Sequence, residues 1–245
     1  MIEYNFSNKT VLVTGAGRGM GREVAKTLVK CGAKVVALSI IEEELRTLKQ
    51  EVPQIITVKC DIANNKQVKE LIPPHGPYHC LANIAGIIEL QPFLDVTEES
   101  FDRVVAVNTK GMVFVSQVVA KQMIEHKIEG TIVTISSQAS KVGVRDHTAY
   151  CASKAAVNLI TKVMAIELAP YGIRSNCVNP TVVMTELGKI GWSDPVKAKT
   201  MLDRIPLHRF AEVEDVVTTV LFLLSDNNKM INGETVMVDG GALSN

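Results

Sequence analysis

Short runs rich in Val and Ile alternate along the chain with longer stretches of helical pattern, and this alternation restricts the possible folds more than any other feature. The runs are Thr10–Thr14, Lys34–Ser39, Ile55–Lys59, Cys80–Asn83, Gly130–Ile135, Arg174–Val178 and Glu234–Val238. None shows clean apolar–polar alternation, so each reads as a strand covered on both faces. Between them the pattern is helical over Gly21–Cys31, Glu42–Glu51, Glu98–Ile124, Thr148–Ala169 and Val213–Leu224. Strand and helix in turn require crossover connections. The expected fold is therefore α/β, a doubly wound parallel sheet of seven strands. A chain of 245 residues, 47% of them hydrophobic, suits one such domain over residues 1–245. Ligands of such sheets bind beyond the carboxyl ends of the strands, so chemistry is expected in the segments that follow them.

The first of these segments is Thr14-Gly15-Ala16-Gly17-Arg18-Gly19-Met20-Gly21, which joins the first strand to the first helix. Glycines there permit a tight turn and let the backbone approach a pyrophosphate seated on the helix N-terminus. A glycine cluster by itself is as often a flexible turn. Its position between strand and helix favours the phosphate reading and a Rossmann-type arrangement.

A second constellation carries chemistry. Tyr150 and Lys154 are one helical turn apart and share a face of the helix. A phenol with an ordinary pKa of about 10 is a poor proton shuttle at neutral pH, and a lysine cation beside it favours the phenolate. Ser137 lies thirteen residues upstream of Tyr150, just past the strand that ends at Ile135, where it could hydrogen-bond a substrate carbonyl. With four tyrosines in the chain, such a Tyr–Lys pair arises by chance about 0.3 times, and the matching Ser lowers that to about 0.015.

These residues, with Asp61, Asn83-Ile84-Ala85-Gly86, Asn108, Asn179-Pro180 and Val238-Asp239-Gly240-Gly241, resemble the short-chain dehydrogenase/reductase family from about Ser7 to Gly241. The resemblance implies reduction of a carbonyl by hydride from a nicotinamide cofactor. It assigns Tyr150 as proton donor, Lys154 as the group that lowers its pKa and holds the nicotinamide ribose, and Ser137 as the group that polarises the carbonyl. Asn108 would support a water that refills the proton through Lys154. The implied cofactor contacts are Gly15, Arg18, Gly19, Met20 and Gly21 at the turn, Ser39 after the second strand, and Asp61 and Ile62 at the adenine. Asn83, Ala85 and Gly86 would follow the fourth strand, and Pro180, Val183 and Thr185 the sixth, with Thr185 holding the carboxamide. The segments Gln91–Leu94, Ser136–Gln138, Asn179–Thr185 and Trp192–Leu207 are similar to those of members that reduce small α-dicarbonyls and ketoses such as L-xylulose. Gln138, Val144, His147 and Trp192, beside Ser137 and Tyr150, are the implied substrate contacts.

The chain departs from the family pattern at two places. Ile84 replaces the second Asn of the usual Asn-Asn-Ala-Gly, which removes a supporting amide but no catalytic group. Ser39 stands where NAD users place an acid for the ribose hydroxyls, and Ile40 stands where NADP users commonly place an Arg. Arg18 is left as the partner for a 2′-phosphate. NADP(H) is therefore the expected cofactor, with NAD(H) use possible and discrimination weaker than in relatives with two basic residues.

The remaining features narrow the function. Twenty-six basic residues balance twenty-six acidic ones, which points away from nucleic acid and anionic membranes as partners. No apolar run approaches a membrane span, and the polar, acidic N-terminus is unlike a signal or transit peptide. The five cysteines are scattered with no Cys-x-x-Cys pair, as expected in the reducing cytoplasm. His75 and His79 enter a strand from a Pro-rich connection without further ligands, so no metal is expected. Cys151 adjoins Tyr150 but points about 100° round the helix. Trp192 falls in a segment, 186–208, that is expected to close over the substrate. The Thr148–Ala169 helix is apolar nearly all round (Ala152, Ala155, Leu159, Ile160, Val163, Ile166), which predicts burial against a second subunit, and the resemblance implies a homotetramer. A 3-oxoacyl or hydroxysteroid reductase, or a dinucleotide-binding protein without turnover, are the alternatives.

Overall fold

The structure is a computed structural model that describes residues 4–244 except 186, 187, 190, 191 and 193, and leaves out the side chain of Lys197. The strands are β1 (Thr10–Thr14), β2 (Lys34–Ser39), β3 (Ile56–Lys59), β4 (Cys80–Asn83), β5 (Thr131–Ile135), β6 (Arg174–Pro180) and β7 (Thr235–Val238). They form one parallel sheet in the order β3-β2-β1-β4-β5-β6-β7. The order reverses between β1 and β4, whose register pairs Thr14 with Asn83. That is the switch point at which such sheets leave a crevice.

The helices are α1 (Gly19–Lys30), α2 (Glu42–Glu51), α3 (Asn65–Leu71), α4 (Glu98–Val105), α5 (Met112–Glu125), α6 (Thr148–Leu168), α7 (Pro195–Leu202) and α8 (Val213–Leu224). Successive residues of β1 serve opposite faces. Val11 and Val13 pack with Val24, Leu28, Val216 and Val220 of α1 and α8. Leu12 joins Leu81, Ile132, Val115 and Val119 beneath α5. Both faces are covered, which is why the strands read as continuous apolar runs.

Two differences from the sequence reading matter for function. The helical pattern over Glu98–Ile124 is not one α-helix: a π-helical segment, Ala106–Gly111, separates α4 from α5 and carries Asn108. Side-chain periodicity is too coarse to register one extra residue per turn. Secondly, α3 and α7 are additional helices. Asn64 caps α3 by accepting from Lys66 and Gln67 N–H groups, and Asp194 caps α7 by accepting from Val196 N–H. Among the described residues, no helix is long and apolar enough to cross a membrane.

Candidate active site

The carboxyl ends of β1, β2 and β4 open on a cleft of about 440 Å³. Gly15, Arg18, Gly19, Met20 and Gly21 form one wall; Ser39, Asp61 and Ile62 line the β2–β3 side; Ala85, Gly86 and Thr185 line the other. The turn is built on contact. Gly15 has φ of +66°, and a Cβ there would lie 2.7 Å from Ala85 Cα. A Cβ on Gly21 would lie 2.2 Å from the Gly15 carbonyl oxygen. Thr14 Oγ1 accepts from Ile84 N at 3.0 Å and Ala85 N at 3.2 Å, which fixes the β4 exit against the turn.

These residues fit the phosphates of a dinucleotide. Arg18 caps α1 with no side-chain hydrogen bond, and the first turn of α1 carries no acid. Its first N–H groups therefore remain for an anion at the positive end of the helix dipole. Arg18 lines the cleft as expected, but its guanidinium is paired with Glu44, with Nε 3.5 Å from Oε1.

Not every expected cofactor contact faces this cleft. Asn83 is buried, and its amide donates to Ser116 Oγ at 2.9 Å beneath β4, so it supports the strand end without lining the cleft. Period-two alternation turns the Asn83 side chain away from the crevice. Pro180 ends β6, and Val183 pairs with Ala211 in an isolated bridge; neither lines the cleft.

Two of the expected catalytic residues, Lys154 and Asn108, lie behind Gly86 of the cleft wall. A Cβ on Gly86 would lie 3.4 Å from Lys154 Nζ and 3.2 Å from Asn108 Oδ1. Lys154 is buried, donates to the Ile135 carbonyl at 2.9 Å, and sits 5.7 Å from the centre of the Tyr150 ring. Burial pushes its pKa down to about 8. Burial also raises the Tyr150 phenol, while its hydrogen bond with Ser137 acts the other way. The direction is opposite to the depression expected from a lysine cation one turn away: burial is the largest influence on the phenol, and the Lys154 ammonium is directed at Ile135 O. A phenol held neutral is the form that can give up a proton.

Asn108 is locked by its neighbours. Its Oδ1 accepts from Ile87 N at 2.8 Å, and its amide donates to Ile87 O at 2.9 Å and Ser153 Oγ at 3.0 Å. Ser153 Oγ in turn donates to the Tyr150 carbonyl at 2.8 Å. The π segment thus ties the loop after β4 to α6. A further network holds Ser137 and was not foreseen. Ser140 Oγ donates to Ser137 O at 2.6 Å, Asn158 donates to Ser140 Oγ at 2.7 Å, and Asn179 donates to both Ser137 O and Ser140 Oγ. An amide at 158 between the apolar residues Val157 and Leu159 was the available signal.

The expected substrate residues lie in several segments. Gln138 opens a 3-10 turn after Ser137, and its Oε1 is buried with no hydrogen-bond partner among the described residues. The His147 ring stands edge-on to Tyr150, with centres 6.1 Å apart, and its Nδ1 contacts the Arg145 carbonyl. Val144 O accepts from His147 N at 3.2 Å. Trp192 packs on Phe210 at 5.5 Å, and the expected lid contains α7; residues 186, 187, 190, 191 and 193 of that lid lie outside the described residues. His79 Nδ1 accepts from Thr10 N at 3.1 Å, a structural use of the imidazole. Among the described residues, no group of three His, Cys, Asp or Glu could hold a metal ion. All five cysteines are free, and burial raises Cys60 and Cys177 to about 11 and Cys80 to about 12.

A parallel sheet with a glycine turn at its switch point, and a Ser–Tyr–Lys set whose lysine lies behind Gly86, defines a dinucleotide-dependent oxidoreductase fold. A family model described as enoyl-(acyl carrier protein) reductase matches residues 15–242, and the chain belongs to that family of short-chain dehydrogenases and reductases. The chain is 49% identical over 243 residues to an L-xylulose reductase from Bos taurus, covering 99% of this chain and 100% of the relative. It is 44% identical to carbonyl reductase [NADPH] 2 from Sus scrofa, with 99% and 100% covered. A solved gluconate 5-dehydrogenase from Burkholderia cenocepacia, in complex with NADP and tartrate, superposes with a TM-score of 0.92 at 30% identity, over 99% of this chain and 98% of that one.

Proposed function

We propose that this protein is an NADPH-dependent carbonyl reductase that acts on small α-dicarbonyls and on ketoses such as L-xylulose. The observation that carries this reading is the grouping of Ser137, Tyr150 and Lys154, with the Tyr150 phenol hydrogen-bonded to Ser137 and its ring centre 5.7 Å from Lys154 Nζ. Full-length similarity to an L-xylulose reductase and to a reductase named for NADPH supports the substrate class and the cofactor.

When bound, NADPH supplies the hydride. Gly15, Gly19 and Gly21 would admit the pyrophosphate to the start of α1, and Asp61 and Ile62 would border the adenine. Lys154 and Thr185 would hold the nicotinamide half. Ser137 Oγ donates to the substrate carbonyl oxygen, and Tyr150 gives that oxygen its proton. Ser140, Asn158 and Asn179 keep the Ser137 backbone in place. Asn108 aligns α6 with the loop after β4 and supports the water that returns a proton to Tyr150 through Lys154. Gln138, Val144, His147 and Trp192 border the substrate, and the helix Pro195–Leu202 covers it.

We read Leu159, Val163 and Ile166 as a subunit contact in a homotetramer, because all three are exposed at the spacing of one α6 face. The five free thiols suit the cytoplasm. Initial rates of NADPH and NADH oxidation with diacetyl and L-xylulose test the reading. Turnover of both is expected with NADPH, and Tyr150→Phe should lower kcat by about 100-fold or more while cofactor still binds. Bound cofactor with no turnover of either compound would refute the substrate class and direct the search to 3-oxoacyl or steroid carbonyls.

A further inference from the structure

The β2 corner of the cleft contains a carboxylate beside Ser39. Glu44, in the first turn of α2, turns back towards the glycine turn. Its Oε2 accepts from Ser39 Oγ at 3.3 Å, and its Oε1 lies 3.5 Å from Arg18 Nε. The carboxylate is packed so closely over the turn that a Cβ on Gly17 would lie 2.1 Å from Oε2. The Glu44 side chain is 21% exposed, whereas its partner Arg18 is 61% exposed. Ile40 and Ile41 follow Ser39, so among the described residues that line the cleft Arg18 is the cation that can meet an anion in this corner.

The backbone carrying Glu44 is anchored. Arg22 Nη1 donates to Gly17 O at 2.9 Å, Glu44 O at 3.1 Å and Thr47 Oγ1 at 3.2 Å, and Arg22 Nη2 pairs with Glu51 at 2.8 Å. Arg22 thus clamps α2 to the glycine turn. With α2 clamped in this way, the carboxylate would have to leave the corner by rotation of the Glu44 side chain.

We infer that Glu44 sets the cofactor selectivity of this enzyme by competing with the adenosine 2′-phosphate for Arg18 and by repelling that phosphate from Ser39. The inference rests on the proposed use of NADPH and names the residue that limits it. For NADPH to bind, Arg18 must exchange a carboxylate for the phosphate, and Glu44 must rotate outward. NADH places hydroxyl groups at the same point, and a carboxylate accepts from them without moving. Glu44 therefore weakens NADPH and favours NADH, which narrows the gap between the two cofactors.

The test is direct binding, with no substrate present. Dissociation constants of NADPH, NADH, adenosine 2′,5′-bisphosphate and AMP are measured by calorimetry for the wild type, Glu44→Gln and Glu44→Ala. Both variants should bind NADPH and the bisphosphate about tenfold more tightly, since they remove a like charge and release Arg18. NADH and AMP should bind equally or up to a few-fold more weakly. In an Arg18→Ala background the gain from Glu44→Gln should shrink, because part of it comes through the released guanidinium. A thermal midpoint like that of the wild type shows that each variant is folded. An unchanged NADPH-to-NADH affinity ratio in both variants overturns the inference. A protein that binds these nucleotides but reduces neither diacetyl nor L-xylulose would refute the proposed substrate and leave the role of Glu44 still measurable.

Discussion

Replacing Lys154 with Met should abolish reduction and, at neutral pH, make the cofactor-free protein more stable. The ammonium is buried without a carboxylate partner among the described residues, and it donates to Ile135 O at 2.9 Å. A pKa of about 8 against the ordinary 10.5 corresponds to a penalty of about 3 kcal/mol on the charged form. Methionine has nearly the same length and no charge, but it leaves the Ile135 carbonyl unpaired, which costs about 1 kcal/mol. The expected net gain at pH 7 is about 2 kcal/mol, or a rise in Tm of about 5 °C. The sign of the pH dependence follows from proton binding. Below about 8 both folded and unfolded chains hold the proton, so the wild type carries the full penalty. Between about 8 and 10.5 the folded state has released it while the unfolded state still binds it, so wild-type stability rises with pH. Above that range both states are neutral and the penalty is gone. The advantage of the variant should therefore nearly vanish by about pH 9.5. Urea unfolding of both proteins at pH 7 and pH 9.5, at equal protein concentration because subunit association adds to stability, measures the difference. A variant destabilised equally at both pH values would refute the idea that the active site keeps a penalised lysine for function.

Two further outcomes are expected. The kcat/KM for reduction should fall as pH rises past about 8, where Lys154 gives up its proton in the free enzyme; a profile flat to about pH 9.5 would contradict this. Arg174→Met should destabilise the fold by about 2–4 kcal/mol without changing cofactor affinity, because Arg174 donates to Leu223 O, Ser225 O and Ile231 O around the C-terminus of α8, and chemical denaturation reads the loss.

The order of strands and helices, the glycine turn and the Tyr150–Lys154 pair were legible in the amino-acid sequence because each is a local signal. A strand covered on both faces, a turn that needs Gly15 and two side chains one helical turn apart are all defined within a few neighbouring residues. Ser137 was legible too, since it follows a strand whose end must face the crevice. What only the tertiary structure decided is which distant residues meet. The order β3-β2-β1-β4-β5-β6-β7 brings the glycine turn against Ala85 and carries α2 over that turn, so that Glu44 holds Arg18. In the sequence Glu42-Glu43-Glu44 reads as ordinary acid at a helix start, which the helix dipole favours anywhere. The π segment at Asn108, the turn of Asn83 towards Ser116 and the enclosure of Lys154 likewise depend on packing between segments far apart in the chain. Desolvation is a property of the assembled interior, and the spacing of two residues on one helix suggested a depressed phenol where the enclosed site raises it.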